Sequence, residues 1–366
     1  MKKRLLQRSL TAILSIALST TVFSEEESSH TKENYDILGL GSAFIDYILK
    51  VNDEELEEMK YDKGTWGPIE YSSLKSILKK KDTNLINTTG GGSSANVIKG
   101  LAKLGQKCAV LGQIGSDEQG SFYLKSLKNI EITPFLHQGS LPTGQALCFV
   151  TPDGQHTMRT YLGASHNNDD IKINPNIFNN IKLFHLEGYQ LQNPKLFKEA
   201  IELAKKQGAK ITLDLSSTGI VKTYKDDLLN ILPKYVDIIF ANEAEAFELT
   251  HLYPQEACDF LATFCDVAVV TMGDRGSWVK SGTIKFYTPA VDVKCIDTTG
   301  TGDLFAAGFL HGYLNNENLQ KCAWIGTFVA SKVVQQYGSE VSNELWKEIY
   351  AGLDEDKSQE ITHNKK

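Results

Sequence analysis

Residues 297–314 read DTTGTGDLFAAGFLHGYL. Two aspartates, three threonines and two glycines precede an apolar run long enough for several helical turns. A helix N-terminus exposes unpaired N–H groups and carries a partial positive charge, so anions settle there. Gly300 and Gly302 remove the Cβ atoms that would hold an anion at a distance. Asp303 follows in the first turn, where a carboxylate can take the proton of a hydroxyl that attacks a phosphate. The run points to phosphoryl transfer, a reaction governed by positioning and charge stabilisation. A capped helix after a glycine turn accounts for one aspartate and one glycine, but not for both carboxylates and both glycines together.

Upstream, short apolar runs alternate with helical patterns. YDILGLG (35–41) and KCAVLGQIG (107–115) read as buried strands, with a helix over Ser94–Leu104 that carries Val97, Leu101 and Leu104 on one face. IKLFHLEGY, KITLDLSS, VDIIFANEAEA and VAVVTMG repeat the strand pattern between helices expected at Pro194–Gln207, Lys225–Leu232 and Gln255–Phe264. Strands separated by helices imply a doubly wound α/β fold, with a mostly parallel sheet between helical layers. Residues 44–53 and 142–162 break this rhythm: they read as alternating strands, the second with an Asp153–Gly154 turn and without a crossover helix. They form either a small separate sheet that caps a site or pairs with a second copy, or an ordinary edge hairpin. Residues 54–84, rich in Lys and Glu, read as a solvated connector and helix.

Composition narrows the function. The chain has 366 residues, 41% of them hydrophobic and 23% charged, and a net charge of -7. With no basic stripe interleaved with aromatics, nucleic acid is excluded as a partner. Six cysteines lie scattered without C-x-x-C pairs or histidines at zinc-ligand spacing, so they read as buried free thiols from a reducing compartment. Residues 1–24 disagree with that compartment. Four positive charges, an apolar run from Leu10 to Phe23 and small residues at Val22 and Ser24 make a signal-like or transit-like leader, or equally a disordered extension of 1–34. The run is too short and too rich in Ser and Thr for a stable membrane span. Phosphoryl donors and free thiols favour the cytoplasm, with export or organelle targeting as the alternative.

Other phosphate-handling patterns are missing. No G-x-x-x-x-G-K-[ST] occurs, and GLGSAF (39–44) lacks the third glycine of a dinucleotide fingerprint. His156, His185 and His311 have no spacing that sets them apart.

The sequence resembles the ribokinase-like, or phosphofructokinase B, family of carbohydrate and nucleoside kinases. DTTGTGDLFAAGFL is similar to its C-terminal signature, with Thr301 where alanine is usual, and GGGSSANVIKGLAKLG (90–105) to its N-terminal one. GSAFID (41–46), ANEAEA (241–246) and TMGDRGSW (271–278) resemble further family elements in the same order, over residues 35–352. Residues 353–366 form a polar tail outside the resemblance.

The resemblance implies a role for each matching residue. Asp303 would be the base, and the amides of Gly300, Thr301 and Gly302 would hold the moving phosphoryl group. Asp46, Gly91, Gly92 and Asn96 would bind the acceptor, although a turn aspartate and packing glycines fit the same letters. Asn242, Thr271, Gly273 and Gly276 would border ATP, and Glu245 would hold Mg²⁺ through water, although a solvated helix start also explains the acids. Asp297 and Thr299 would sit near a monovalent cation such as K⁺, or cap the helix. TPDGQHTMRTYLGAS (151–165) and YDKGTW (61–66) resemble the bacterial adenosine-kinase-like branch more than ribokinases or fructokinases. Adenosine, phosphorylated to AMP, is then the expected acceptor, with Phe44, Trp66 and Tyr161 as an aromatic wall for its base. A fructose or ribose kinase is the alternative, as is a silent binding module that keeps only the fold.

Overall fold

The computed structural model describes residues 34–81, 84–166 and 171–363, with residues 356–363 described by backbone alone. The expected leader lies outside the described residues. In chain order the strands are β1 (Ile37–Leu40), β2 (Phe44–Lys50), β3 (Trp66–Pro68), β4 (Leu85–Gly91), β5 (Cys108–Gly115), β6 (Thr133–Gly139) and β7 (Gly144–Val150). They continue with β8 (His156–Tyr161), β9 (Leu183–Glu187), β10 (Lys210–Asp214), β11 (Ile238–Asn242), β12 (Val267–Thr271), β13 (Ser277–Ser281) and β14 (Ile284–Thr288).

Nine strands form the main sheet in the order β14-β13-β12-β11-β10-β9-β1-β5-β6, parallel from β12 to β6. The parallel strands are apolar runs because helices bury both faces. On one face Phe184, Leu186 and Leu213 pack with Phe197 and Ala200 of the helix Pro194–Lys206. On the other, Ile37 and Val269 pack with Val97 and Leu101 of the helix Ser93–Lys103 and with Phe309 of the helix Thr301–Leu314. The chain adds β5 and β6 on one side of β1 and β9 to β12 on the other, so strand order reverses there. In such sheets the carboxyl ends beside the reversal open a crevice for ligands.

Over that crevice lies a second sheet, β3-β8-β7-β2-β4. Residues 44–53 and 142–162 do build a sheet of their own, joined by β3 from the segment read as connector and by β4, which follows that segment. That segment is not merely solvated: the helices Asp53–Glu58 and Tyr71–Lys80 bury Leu56 and Leu74 on the outer face of the lid. With its outer face covered, β7 is buried along its whole length and does not alternate.

The tip of the β7–β8 hairpin rests on the loop before residue 300. A Cβ on Gly154 would lie 3.0 Å from the Ile296 carbonyl oxygen, and His156 Nδ1 is 3.0 Å from Thr298 Oγ1. All six cysteines are free, as expected, but Cys295 is exposed, because it lies in this loop and not in a strand or helix. Among the described residues no helix is long and apolar enough to cross a membrane. The last helix, Asn343–His363, continues through the segment read as a tail.

Candidate active site

The carboxyl ends of β1, β9, β10, β11 and β12, the inner face of the lid and the start of the helix Thr301–Leu314 enclose a cavity of about 320 Å³. The loop that leads into this helix is built around Asp297, which is wholly buried. Its Oδ1 accepts from the amide and hydroxyl of Thr299 at 2.9 and 2.7 Å, and its Oδ2 from the Gly338 amide at 2.8 Å. Asp297 thus braces the turn, but neither it nor Thr299 caps the helix, whose N-cap Gly300 takes no side-chain hydrogen bond.

Gly300 follows at φ +76°, and a Cβ there would fall 2.4 Å from the Ser339 Cβ, so glycine is required for both conformation and space. Intrahelical bonding begins with the Leu304 amide, which donates to the Gly300 carbonyl. The Thr301 amide, expected to help hold an anion, donates to the Thr298 carbonyl at 3.2 Å. The Gly302 and Asp303 amides keep no partner among the described residues. Nothing lies within 4 Å of a Cβ built on Gly302, which borders the open cavity.

Asp303 is held by the helix that faces it. Ser93 Oγ donates to its Oδ1 at 2.7 Å and Asn96 Nδ2 to its Oδ2 at 2.8 Å, while Ser339 Oγ donates to Asn96 Oδ1 at 3.2 Å. Burial pushes the Asp303 carboxyl up to about 6, against the pull of these two donors.

Asp46 sits in β2, opposite Thr89 of β4 and Ala146 of β7. Burial, with a contribution from Asp303, raises it to about 7, and Lys99 opposes the rise. Gly91 does not line the cavity; it lies behind Asp46, whose Oδ2 would be 1.9 Å from a Cβ there. Gly92 does line it, at φ +104°, where a Cβ would strike the Ser42 carbonyl.

Towards the far end, Asn242 caps the helix Glu243–Thr250 in a capping box. Its Nδ2 and amide donate to Glu245 at 2.7 and 2.9 Å, and the Glu245 amide donates back to Asn242 Oδ1 at 2.9 Å. The helix-start reading is therefore met, but Glu245 is not solvated: it is buried, borders the cavity, and burial lifts it to about 7. Thr271 borders the cavity, whereas Gly273 and Gly276 do not. Gly276 has φ +86° and would place a Cβ 2.0 Å from the Thr288 carbonyl, which gives it a packing reason of its own.

The structure adds residues that the motifs do not contain. Glu187, at the end of β9, is wholly buried and accepts from the Ser42 and Ser94 amides at 2.7 and 2.9 Å, tying the end of β1 to the start of the helix Ser93–Lys103. Asp214, at the end of β10, also borders the cavity. Burial raises both acids, and for Asp214 the charges of Glu245 and Asp303 add to the effect. An acid closing a buried apolar strand, as in LFHLE and ITLD, is the signal that could have found them.

Phe44 and Trp66 line the lid side, as expected, but Tyr161 does not: it faces outward and packs on Tyr71 at 4.7 Å. Strand alternation sends Met158 and Thr160 inward instead. Tyr189 completes the aromatic wall, its ring 6.4 Å from that of Trp66 at 39°.

A helix N-terminus with free amides, a carboxylate beside them and an acid-lined cleft under a lid define a phosphotransferase of the ribokinase-like class. The sequence profile of the pfkB family of carbohydrate kinases matches residues 68–346. The solved adenosine kinase of Sinorhizobium meliloti superposes with a TM-score of 0.80 at 29% identity, covering 87% of this chain and 100% of that one. A nucleoside kinase of Methanocaldococcus jannaschii is 27% identical over 267 residues, 72% of this chain and 85% of the relative. The ribokinase of Mus musculus is 28% identical over 282 residues, 72% and 84% of the two chains. The chain belongs to the pfkB family of carbohydrate kinases, and it is an ATP-dependent phosphotransferase acting on a nucleoside or a sugar.

Proposed function

We propose that the acceptor is adenosine, phosphorylated on its 5′-hydroxyl to give AMP. The observation that carries this reading is the pair of rings, Trp66 and Tyr189, 6.4 Å apart in the cleft wall. The acidic floor alone would hold a furanose, and these rings add a flat apolar surface on which a planar base would stack. Phe44, Met158 and Leu162 continue that surface.

In this reading Asp46 accepts from the ribose 2′- and 3′-hydroxyls, and Asn96 borders the same ring. The 5′-hydroxyl then points at Asp303. That carboxylate accepts the hydroxyl proton as the oxygen bonds to the γ-phosphorus and the bond to ADP breaks. The amides of Gly302 and Asp303 face the charge that develops on the phosphoryl oxygens. His156, carried by the lid, meets Thr298 of the same loop and so joins closure to the site. Asn242 and Thr271 border the cavity, and ATP lies on their side in this reading.

Among the described residues no three acids or histidines converge on a ready metal position. Glu245 borders the cavity and would hold Mg²⁺ through water, and the ion would spread phosphate charge when bound. The open edges of β3 and β4 would let two lids pair in a dimer.

A furanose sugar is the second reading, favoured by the acid-lined floor and by the likeness to mouse ribokinase. Trp66→Ala and Tyr189→Leu separate the two. Each removes stacking of about 1–3 kcal/mol, so the adenosine KM should rise roughly tenfold while the ribose KM moves less than about threefold. Equal loss for both acceptors would refute the role given to these rings.

A further inference from the structure

A lysine lies behind the acceptor end of the cleft, on the side of β4 away from the substrate. Lys99 is in the helix Ser93–Lys103, and its ammonium donates to the Gly90 carbonyl. A Cβ on Gly90 would fall 3.1 Å from Lys99 Nζ, and one on Gly91 would fall 1.9 Å from Asp46 Oδ2. Successive residues of a strand face opposite sides of its sheet. The ammonium and the carboxylate therefore stand on opposite faces of the same short piece of β4, one layer of backbone apart.

We propose that Lys99 is a positioning residue for the acceptor: through β4 its charge keeps the Asp46 carboxylate in the form that accepts from two hydroxyls. The inference rests on the reading of Asp46 as the acceptor clamp. An ionised carboxylate only accepts, whereas a protonated one turns one oxygen into a donor and binds paired hydroxyls less well.

The groups around Asp46 make this help necessary. Asp303 faces it across the cleft, Tyr123 lies with Lys99 on the far side of β4, and burial, with the Asp46 charge adding to it, raises the pKa of both Tyr123 and Cys148. Of the charges acting on Asp46, Asp303 opposes its ionisation and Lys99 favours it. Lys99 has its own support. Burial lowers its pKa, and the charges of Glu340 and Asp46 oppose that fall. It borders a second cavity of about 760 Å³, shared with Glu340, Lys103 and Lys125, and Glu340 there favours the charged ammonium.

The test is steady-state kinetics of the full chain with ATP and adenosine from pH 6 to pH 9, on the wild type, Lys99→Gln, Lys99→Arg and Asp46→Asn. Lys99→Gln keeps a donor for Gly90 and loses the charge. Its acceptor KM should rise about tenfold at pH 7 and recover towards pH 9, with kcat and the ATP KM within about threefold of wild type. Lys99→Arg should follow the wild type. A Lys99→Gln profile that superposes on the wild type at every pH overturns the proposal. So does equal, pH-independent damage in Lys99→Gln and Lys99→Arg, which would mark a packing role. Asp46→Asn isolates the premise: an unchanged acceptor KM there sinks the clamp itself, whereas a raised one beside a normal Lys99→Gln sinks only the lysine.

Discussion

Replacing Asp303 by Asn should disable the enzyme and, at the same time, make it more stable. The carboxyl is held up at about 6 against an ordinary 3.8, a difference of about 2 units, or roughly 3 kcal/mol at ~1.36 per unit. The sign follows from the direction. An acid raised in the folded state costs stability wherever it must ionise, so the cost is complete above about pH 6 and gone below the unfolded value. Asn escapes this cost. It keeps one acceptor, and Ser93 can still use it, but the Asn96 amide then meets a second donor group. Losing that charge-assisted bond costs about 1.5–3 kcal/mol, which leaves a net gain of roughly 0–1.5 kcal/mol, or a Tm rise of up to about 3 °C in a domain of this size. The gain should shrink as pH falls below 6. Activity should move the other way: loss of the proton acceptor lowers kcat at least about a hundredfold, near 2.7 kcal/mol of barrier, with the ATP KM little changed. Coupled ADP assays and thermal melts between pH 5 and pH 8 measure both. A variant within threefold of wild-type kcat removes Asp303 from the mechanism; a variant that is inactive but less stable at pH 8 refutes the electrostatic argument while leaving the base in place.

Two further outcomes concern Gly302 and His185. Gly302→Ala adds a methyl that meets nothing within 4 Å, so stability should hold or rise by up to about 0.5 kcal/mol, while kcat/KM falls at least about tenfold as the methyl enters the space left for the phosphoryl group; full activity would show that this amide is not near the transfer. His185 is wholly buried in β9, with Nδ1 on Thr212 Oγ1 at 2.7 Å, and burial lowers it to about 3. The unfolded chain therefore binds a proton below about pH 6.5 that the native state refuses, and stability is lost as pH falls, by about 2 kcal/mol between pH 6.5 and pH 5. Urea titrations of His185→Gln should show an acid limb flatter by that amount, and an unchanged limb would contradict it.

The buried strands were legible because a run such as VAVVT has few other uses in a chain of this composition, and its helices followed from spacing. β3 and β4 were not. Trp66–Pro68 is three residues long, and LINTTGG is rich in turn-forming letters and owes its strand state to pairing with β2. The face of each lid strand was also out of reach: Tyr161 turns outward because β8 pairs with β7 in a register that only the folded sheet sets. At the site, Gly300 and Asp303 stood out because a glycine turn and a carboxylate adjoin at one helix start, whereas Asn96 came only from the resemblance and its bond to Asp303 did not show in the sequence. Glu187, Asp214, Tyr189 and His156 come together only in space. Gly91 and Gly276 were read towards ligands, but their first duty is to make room for Asp46 and for the Thr288 carbonyl.

The most direct test is ADP formation by the purified protein with ATP and Mg²⁺, using adenosine, cytidine, ribose and fructose as acceptors, with the phosphorylated position of each product identified by NMR. The account predicts the highest kcat/KM for adenosine and a product phosphorylated on the 5′-oxygen. A higher kcat/KM for ribose or fructose, or phosphate on any other oxygen of adenosine, would contradict it.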